Sequence, residues 1–338
     1  MISEVLKERF GTKVYKLSLT SGCTCPNRDG RIGTGGCTFC SEGGSGEFAA
    51  PLLPLEEQIR QARRWVDRKI SAKISPEDRR YIAYFQSFTN TYVRTEEEFQ
   101  RLHALYMEAA RRPEIAVLSI GTRPDCLPPE ILQMLAQLRE IKPVWVELGL
   151  QTIHERTAAA IHRGYSLPVF EQAVQELKKI GIEVVVHVIL GLPGETREDM
   201  LETMCYLADM RDRKLMRNPV ERRNPGTVRD PAGMRDWKSM RDPAGMTDPE
   251  TGRPLINGIK LQQLQILRGT QMAEDYLRNP FPIMNLEEYC SLIKDCLDIL
   301  PEDMVIHRLT GDGPKSFLIA PSWSADKKRV LNTMKKWT

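Results

Sequence analysis

Cys23, Cys25, Cys37 and Cys40 place four thiols within the stretch CTCPNRDGRIGTGGCTFC, separated by glycines, two arginines and little that is apolar. Thiols at that density suggest metal or redox chemistry before disulfides, with unliganded thiols as the plain alternative. A closed structural zinc takes four ligands and usually shows two C-x-x-C pairs. Here only Cys37 and Cys40 form such a pair, and Cys23 and Cys25 are one residue apart. An iron–sulfur cluster is the alternative. Held by Cys25, Cys37 and Cys40, it would leave one iron without a protein ligand, open to a substrate or cofactor. Glycines 30, 33, 35 and 36 let the backbone wrap a bulky cluster and turn N–H groups toward its sulfurs, which tunes its potential.

Such a loop needs rigid elements to hold it. Short β-branched or aromatic runs occur at residues 13–19, 81–85, 116–120, 144–148, 183–190 and 259–267. Most are near-continuously apolar, as strands buried on both faces are. Amphipathic helices are expected between them at 55–72, 95–111, 129–140, 168–180 and 198–210, with a further one at 286–300. TEEE from Thr95 reads as a capping box, and TRED from Thr196 as a second helix start. Strand and helix alternating about six times predict an α/β fold, a partial (β/α)6 TIM-like barrel. The cysteine loop follows its first strand, at the C-terminal mouth where such folds gather function.

The chain has 338 residues and a formal net charge of +3, too near neutral to argue for or against nucleic acid. No apolar stretch reaches membrane-span length, and the N-terminus lacks the apolar core of a signal peptide. A cytoplasmic protein with reduced cysteines, and no membrane partner, is expected. Residues 211–255 break the rhythm. RDPAGM occurs twice there, and MRD three times counting the copy that begins at Met210, which predicts a disordered low-complexity insertion. Residues 1–210 then form the core. Residues 256–338 carry the last barrel strand, a glycine-rich loop HRLTGDGP and a C-terminal extension.

TCPNRDGRIGTGGCTFC with SGEFA resembles the YhcC/YtqA-type radical SAM proteins, a branch related to the Elongator catalytic subunit and the coproporphyrinogen oxidase-like enzymes. YFQSFTNTY, GTRPDCL, ELGLQT, IHRGY, VILGLPGET, GIKLQQLQILRGT and HRLTGDGPK continue the likeness in order over most of the chain. The resemblance implies a [4Fe-4S] cluster on Cys25, Cys37 and Cys40, with Cys23 an extra cysteine, and S-adenosylmethionine as the second cofactor. It implies that Gln86, Thr89 and Asn90 hold the amino group of that cofactor. Glu147 and Gln151 end the fourth strand, and by resemblance Gln151 faces the ribose or carboxylate. Arg163 is implied to pair with the carboxylate, His187 to touch the ribose, and Gly191 and Gly194 of the Gly-Leu-Pro-Gly turn to line the adenine. Arg123 and Asp125 read as an ion pair between loops or as the pocket border, and Cys126 as a buried inert thiol. Cys205, Cys290 and Cys296 show no ligand spacing, so no second cluster is expected.

The implied activity is reductive cleavage of S-adenosylmethionine to a 5′-deoxyadenosyl radical, fed by a one-electron reductant such as flavodoxin or ferredoxin. The substrate is less legible. Relatives suggest tRNA and the side chain of its wobble uridine, a carboxymethylaminomethyl-uridine losing its carboxymethyl group. Lys260, Arg268, Arg308, Lys315, the DKKR run from Asp326 and eleven basic residues of the insertion suit phosphate contacts. A small-molecule or protein substrate, and a non-catalytic zinc-bound RNA-binding module, are the alternatives.

Overall fold

The computed structural model describes residues 1–210, 255–311 and 313–336. The expected insertion therefore lies outside the described residues, apart from Leu255.

The strands are β1 (Val14–Leu19), β2 (Arg80–Phe85), β3 (Ile115–Thr122), β4 (Val144–Gln151), β5 (Glu183–Leu190), β6 (Gly258–Gln263), β7 (Ile266–Leu267), β8 (Val305–Arg308) and β9 (Leu318–Ala320). Seven of them form one parallel sheet in the order β1-β2-β3-β4-β5-β6-β8. Helices α2 (Leu55–Val66), α3 (Glu96–Arg111), α4 (Pro129–Ile141), α6 (Leu167–Lys179) and α7 (Arg197–Asp209) supply the crossovers, with a short α5 (Glu155–Ala160) after β4. The sheet curls strongly. Lys260 on β6 donates to the Tyr84 hydroxyl on β2 at 2.9 Å. On a flat sheet those strands would lie four spacings, about 19 Å, apart. The strands β1 and β8 remain as edges, so the architecture is an open half-barrel.

The alternation of each strand explains the layers. Leu17, Phe85, Ile120, Leu148, Val186 and Leu261 face the helices and join Ile59, Leu102, Leu135, Phe170 and Met204 in the main core. Each such side chain contributes roughly 1.5–3 kcal/mol on burial. The intervening residues face inward. Near the N-terminal end they are apolar, and Leu6 of α1 (Ile2–Phe10) packs on Val14, Ile82, Trp145 and Val185 to close it. Further along they are polar.

Differences from expectation have local causes. The run expected at 259–267 is not one strand. It breaks after Gln263 and resumes as β7, which pairs antiparallel with β9. His307 and Arg308, expected in a loop, belong to the seventh sheet strand, beside β6. Among the described residues four helices lie beyond the expected set: α1, α5, α8 (Gln271–Arg278) and one at Lys327–Met334. The last two helices, α9 (Leu286–Ile299) and α10 (Lys327–Met334), follow. At Thr196 the capping box forms with Asp199. Thr95 caps α3 on the Glu98 N–H, but the Glu98 carboxylate turns to the Arg94 backbone and guanidinium instead of closing a box.

Candidate active site

The cysteine loop runs from the end of β1 across the C-terminal edge of the sheet. Backbone bonds pin it on both sides. Thr89 N–H donates to Thr24 O at 3.2 Å, Phe88 N–H to Gly44 O at 2.9 Å, and Thr38 N–H to Ile161 O at 3.1 Å. The Gln86 amide adds a bond to Ser45 O at 2.9 Å. The approach is tight enough that a side chain at Gly44 would collide with the Phe88 ring, and one at Gly46 with Ser87. Four non-glycine residues among those described have left-handed backbone, Ser45, Phe88, Gln151 and His162, and all lie at this edge. Such conformations persist where the surroundings over-determine them, commonly at functional sites.

Within the loop, the thiols of Cys25, Cys37 and Cys40 are near enough to act on one another electrostatically. Burial pushes the Cys37 thiol up to about 12, and the Cys40 and Cys25 sulfurs add to the effect while Arg123 opposes it. Cys40 is likewise raised, by burial above all, with Cys25 adding. Asn27 donates toward Cys37 Sγ at 3.6 Å. Cys23 sits among other groups: its thiol is raised chiefly by burial, and Ser21, Arg101 and Glu98 act on it. A lone zinc holds its sulfurs at about 2.3 Å from the metal, which brings them close together. Among the described residues only His154, Asp199 and Glu202 bring three such donor atoms within 4.8 Å of one another. There His154 Nε2 sits 2.8 Å from the Asp199 carbonyl, and Asp199 is engaged by Arg156. The three thiols are thus adjacent but spread wider than one ion requires. Three half-buried cysteines on a glycine-rich loop, one of them faced by an amide donor, fit a multinuclear cluster.

The other expected site residues divide into two groups. Gln86, Gln151 and His187 are partly exposed at the rim or on the inner face, and Thr89 is buried beside the loop. Gly191 and Gly194 both have positive φ in the turn after β5. His187 meets Gln262 Oε1 at 3.2 Å, and its pKa is lowered to about 4 by burial and by the Lys260 and Arg308 charges.

Three others are occupied by the protein itself. Asn90 accepts from Ser21 Oγ at 2.7 Å and donates to the Phe85 and Gly121 carbonyls, bracing the ends of β1, β2 and β3. Arg163, 1% exposed, donates to the carbonyls of Leu150, Thr152 and Tyr165 and faces Glu155. It is not presented to the mouth, so the pairing with a cofactor carboxylate is corrected to a structural role. Glu147 accepts from Ser119 and pairs with Lys260, with Lys16 3.9 Å away. Burial alone would raise its pKa, but the two lysines hold it well below the carboxylate range.

Lys260 is therefore no surface phosphate contact, and that expectation is overturned. Arg268, Lys315, Lys327, Lys328 and Arg329 are exposed. Arg123 and Asp125 do form a two-bond ion pair, at 2.9 and 2.8 Å. Cys126 is buried, with its thiol pKa raised by burial. Sequence reading passes over Tyr165, which lies between the Arg123 and Arg163 guanidinium groups, 4.9 and 4.8 Å from its ring. Its hydroxyl donates to Gly149 O at 2.5 Å. Its position beside Arg163 in IHRGY is the available signal.

Residues 27–207 match the model of the radical SAM superfamily. The chain belongs to that superfamily. Residues 256–337 match the radical SAM C-terminal domain. The protein YtqA of Bacillus subtilis is 37% identical over 98% of this chain and 86% of its own length. A tRNA uridine(34) acetyltransferase of Methanocaldococcus infernus is 37% identical over only 30% of this chain and 18% of its own. Among solved structures, Methanocaldococcus infernus Elp3 lacking its N-terminus superposes with a TM-score of 0.59 at 16% identity, over 96% of this chain and 63% of that one. That likeness establishes the radical SAM half-barrel fold. Among the described residues no helix is long and apolar enough to cross a membrane.

Proposed function

We propose that this radical SAM protein is an enzyme that binds a [4Fe-4S] cluster through Cys25, Cys37 and Cys40 and S-adenosylmethionine beside it. The observation that carries the reading is that the loop bearing Cys25, Cys37 and Cys40 is pinned across the C-terminal edge of an open half-barrel by the Thr89, Phe88 and Thr38 backbone bonds. Cys25, Cys37 and Cys40 would hold the cluster, which would supply the one-electron chemistry for reductive cleavage of S-adenosylmethionine to methionine and a 5′-deoxyadenosyl radical.

The chain's own residues bind, orient and shield. Gln86 ties the cluster loop to β2, and with Thr89 it offers polar atoms for the amino group of the cofactor. Gln151 and His187 offer further contacts, and Gly194, with open space where a side chain would stand, lets a planar ligand approach the backbone. At neutral pH His187 is uncharged, so it donates or accepts without adding to the positive charge of the interior. Asn90 and Arg163 hold the loops in place. A flavodoxin or ferredoxin would deliver the electron.

For the substrate we favour tRNA, at the side chain of the wobble uridine, of the carboxymethylaminomethyl-uridine to aminomethyl-uridine type. The local similarity to the tRNA uridine(34) acetyltransferase and the exposed basic residues of the C-terminal extension support it. Anaerobic reconstitution with iron and sulfide, followed by reduction in the presence of S-adenosylmethionine, should release 5′-deoxyadenosine and methionine. A colourless protein holding one zinc and releasing neither would end the reading. Comparing digested tRNA nucleosides with and without the gene tests the substrate, and identical profiles would redirect the search to small molecules or proteins.

A further inference from the structure

Residues 60–73, RQARRWVDRKISAK, hold six cationic side chains and one anionic, Asp67, in a chain whose net charge is +3. They span the second half of α2, the 3-10 turn Asp67–Lys69 and the start of the connection to β2. Leu55 and Ile59 of α2 are buried, and Ala62 and Val66 pack with them on the main core, which turns the opposite face of the helix to solvent. Asp67 is occupied: Arg63, Arg79 and the Tyr81 hydroxyl donate to it at 3.4, 3.0 and 2.6 Å. Glu57 binds Gln61 and Arg60, and feels Arg64 as well. Among the described residues Arg64, Arg68, Lys69 and Lys73 are exposed and form no ion pair.

Trp65 stands among these cations. It is 69% exposed, more than any other large apolar side chain described. An indole left in water forfeits the burial that ordinarily keeps tryptophan in a core or an interface. The Arg68 guanidinium lies over its ring, 5.0 Å from the centre. A face that serves only solubility interleaves both signs of charge and exposes few tryptophans. An aromatic plane set among unpaired cations is what unpaired stretches of nucleic acid require: the cations take phosphates and the ring takes a base. A lipid surface fits less well, because the apolar side of α2 is already buried in the core and Trp65 alone would insert.

The row also leads to the mouth. Gln58, in the first turns of α2, bonds to Thr20 just beyond the C-terminal end of β1. Asp67, at the other end of the helix, bonds to Tyr81 at the start of β2. The helix therefore runs from the C-terminal edge of the sheet to the opposite edge. Arg64 lies about 14 Å along it from Leu55, and Lys69 about 20 Å. We propose that Arg64, Trp65, Arg68, Lys69 and Lys73 form a docking surface for RNA, with the cations facing phosphates and Trp65 an unstacked base. This rests on the tRNA reading given above. It adds where the body of that substrate is held while one nucleotide enters the mouth.

The test is titration of the reconstituted holoenzyme into fluorescently labelled, unfractionated tRNA, read by anisotropy at several salt concentrations. The quadruple variant Arg64→Gln/Arg68→Gln/Lys69→Gln/Lys73→Gln should bind roughly tenfold or more weakly at about 0.1 M salt, with the slope of log affinity against log salt reduced by about 3. Trp65→Ala should weaken binding of oligouridine several-fold and leave the slope unchanged, as loss of stacking does. Both variants should release 5′-deoxyadenosine from S-adenosylmethionine as the wild type does. Unchanged tRNA affinity and slope in the quadruple variant overturn the proposal. So does a quadruple variant that loses binding of polyglutamate and keeps tRNA, which makes the row a site for an acidic protein. Unaltered oligouridine binding by Trp65→Ala overturns the base contact. Should the quadruple variant fail to fold, acylation of the wild-type lysines read by mass spectrometry replaces it. Bound tRNA must then shield Lys69 and Lys73 more than Lys294 on α9, and equal labelling with and without tRNA overturns the proposal. A wild type that binds no tRNA takes the substrate reading down with this surface. Nucleosides that respond to the gene, beside a quadruple variant that binds like the wild type, sink this surface alone.

Discussion

Asn27 brings its side-chain amide within 3.6 Å of the Cys37 sulfur and 2.5 Å of the His162 carbonyl oxygen. One residue thereby links the cysteine loop to the turn after α5 and aims a donor at one of the three thiols proposed as cluster ligands. Hydrogen bonds to cluster sulfurs raise the potential by stabilising the reduced form. Asn27→Leu is therefore expected to shift the midpoint potential of the reconstituted cluster to more negative values, measured by redox titration of its electron paramagnetic resonance signal. An unchanged potential would mean that the amide does not serve the sulfur.

The ligand set is tested by composition. Cys37→Ala should lose most iron and sulfide after anaerobic reconstitution, whereas Cys23→Ala should retain both, because Cys23 packs beside α3. Equal loss in the two variants would make Cys23 a ligand.

The Glu147–Lys260 pair is buried in the half-barrel. Removing one member leaves the other charged and unpaired, which typically costs about 3–5 kcal/mol. Lys260→Met should lower stability to urea by that order. The double variant Lys260→Met/Glu147→Leu should regain most of it. If the double variant is as unstable as the single, the loss comes from packing rather than from charge.

Arg163 should behave as a brace. Its guanidinium bonds to three backbone carbonyls, and Lys cannot reproduce that fork. Arg163→Lys is expected to lower the melting temperature by several degrees while leaving the KM for S-adenosylmethionine within about twofold, since a 1 kcal/mol loss alone moves a domain of this size by a few degrees. A large rise in KM with unchanged melting would restore the role as a carboxylate partner.

The pH dependence follows from His187. Its pKa in the fold is about 4, below the usual 6.5. The unfolded chain therefore binds more protons between those values, so this histidine's contribution is complete above pH 6.5 and fades as the pH falls toward 4. The shift corresponds to about 3 kcal/mol at most, less for a partly exposed ring. His187→Gln should flatten the wild-type loss of stability over that window in chemical denaturation. An unflattened curve would place the titration elsewhere.

Much of this was legible in one dimension. Apolar runs of strand length alternating with amphipathic helices determine a parallel sheet with crossovers, because only helices on the sheet's outer face can bury both repeats. Four cysteines among glycines after the first run predict a metal-holding loop, and the fold puts that loop at the strands' C-terminal edge. What the sequence could not decide is which polar side chain meets which. Glu147 and Lys260 are 113 residues apart, and they meet because curling folds β4 and β6 over a common interior. Asn90 and Arg163 have the chemistry of ligands, yet the fold directs them to backbone carbonyls that would otherwise be buried without partners. Period and spacing are local properties of the chain, whereas the direction of a long side chain depends on the sheet's curvature, which is set by all seven strands together.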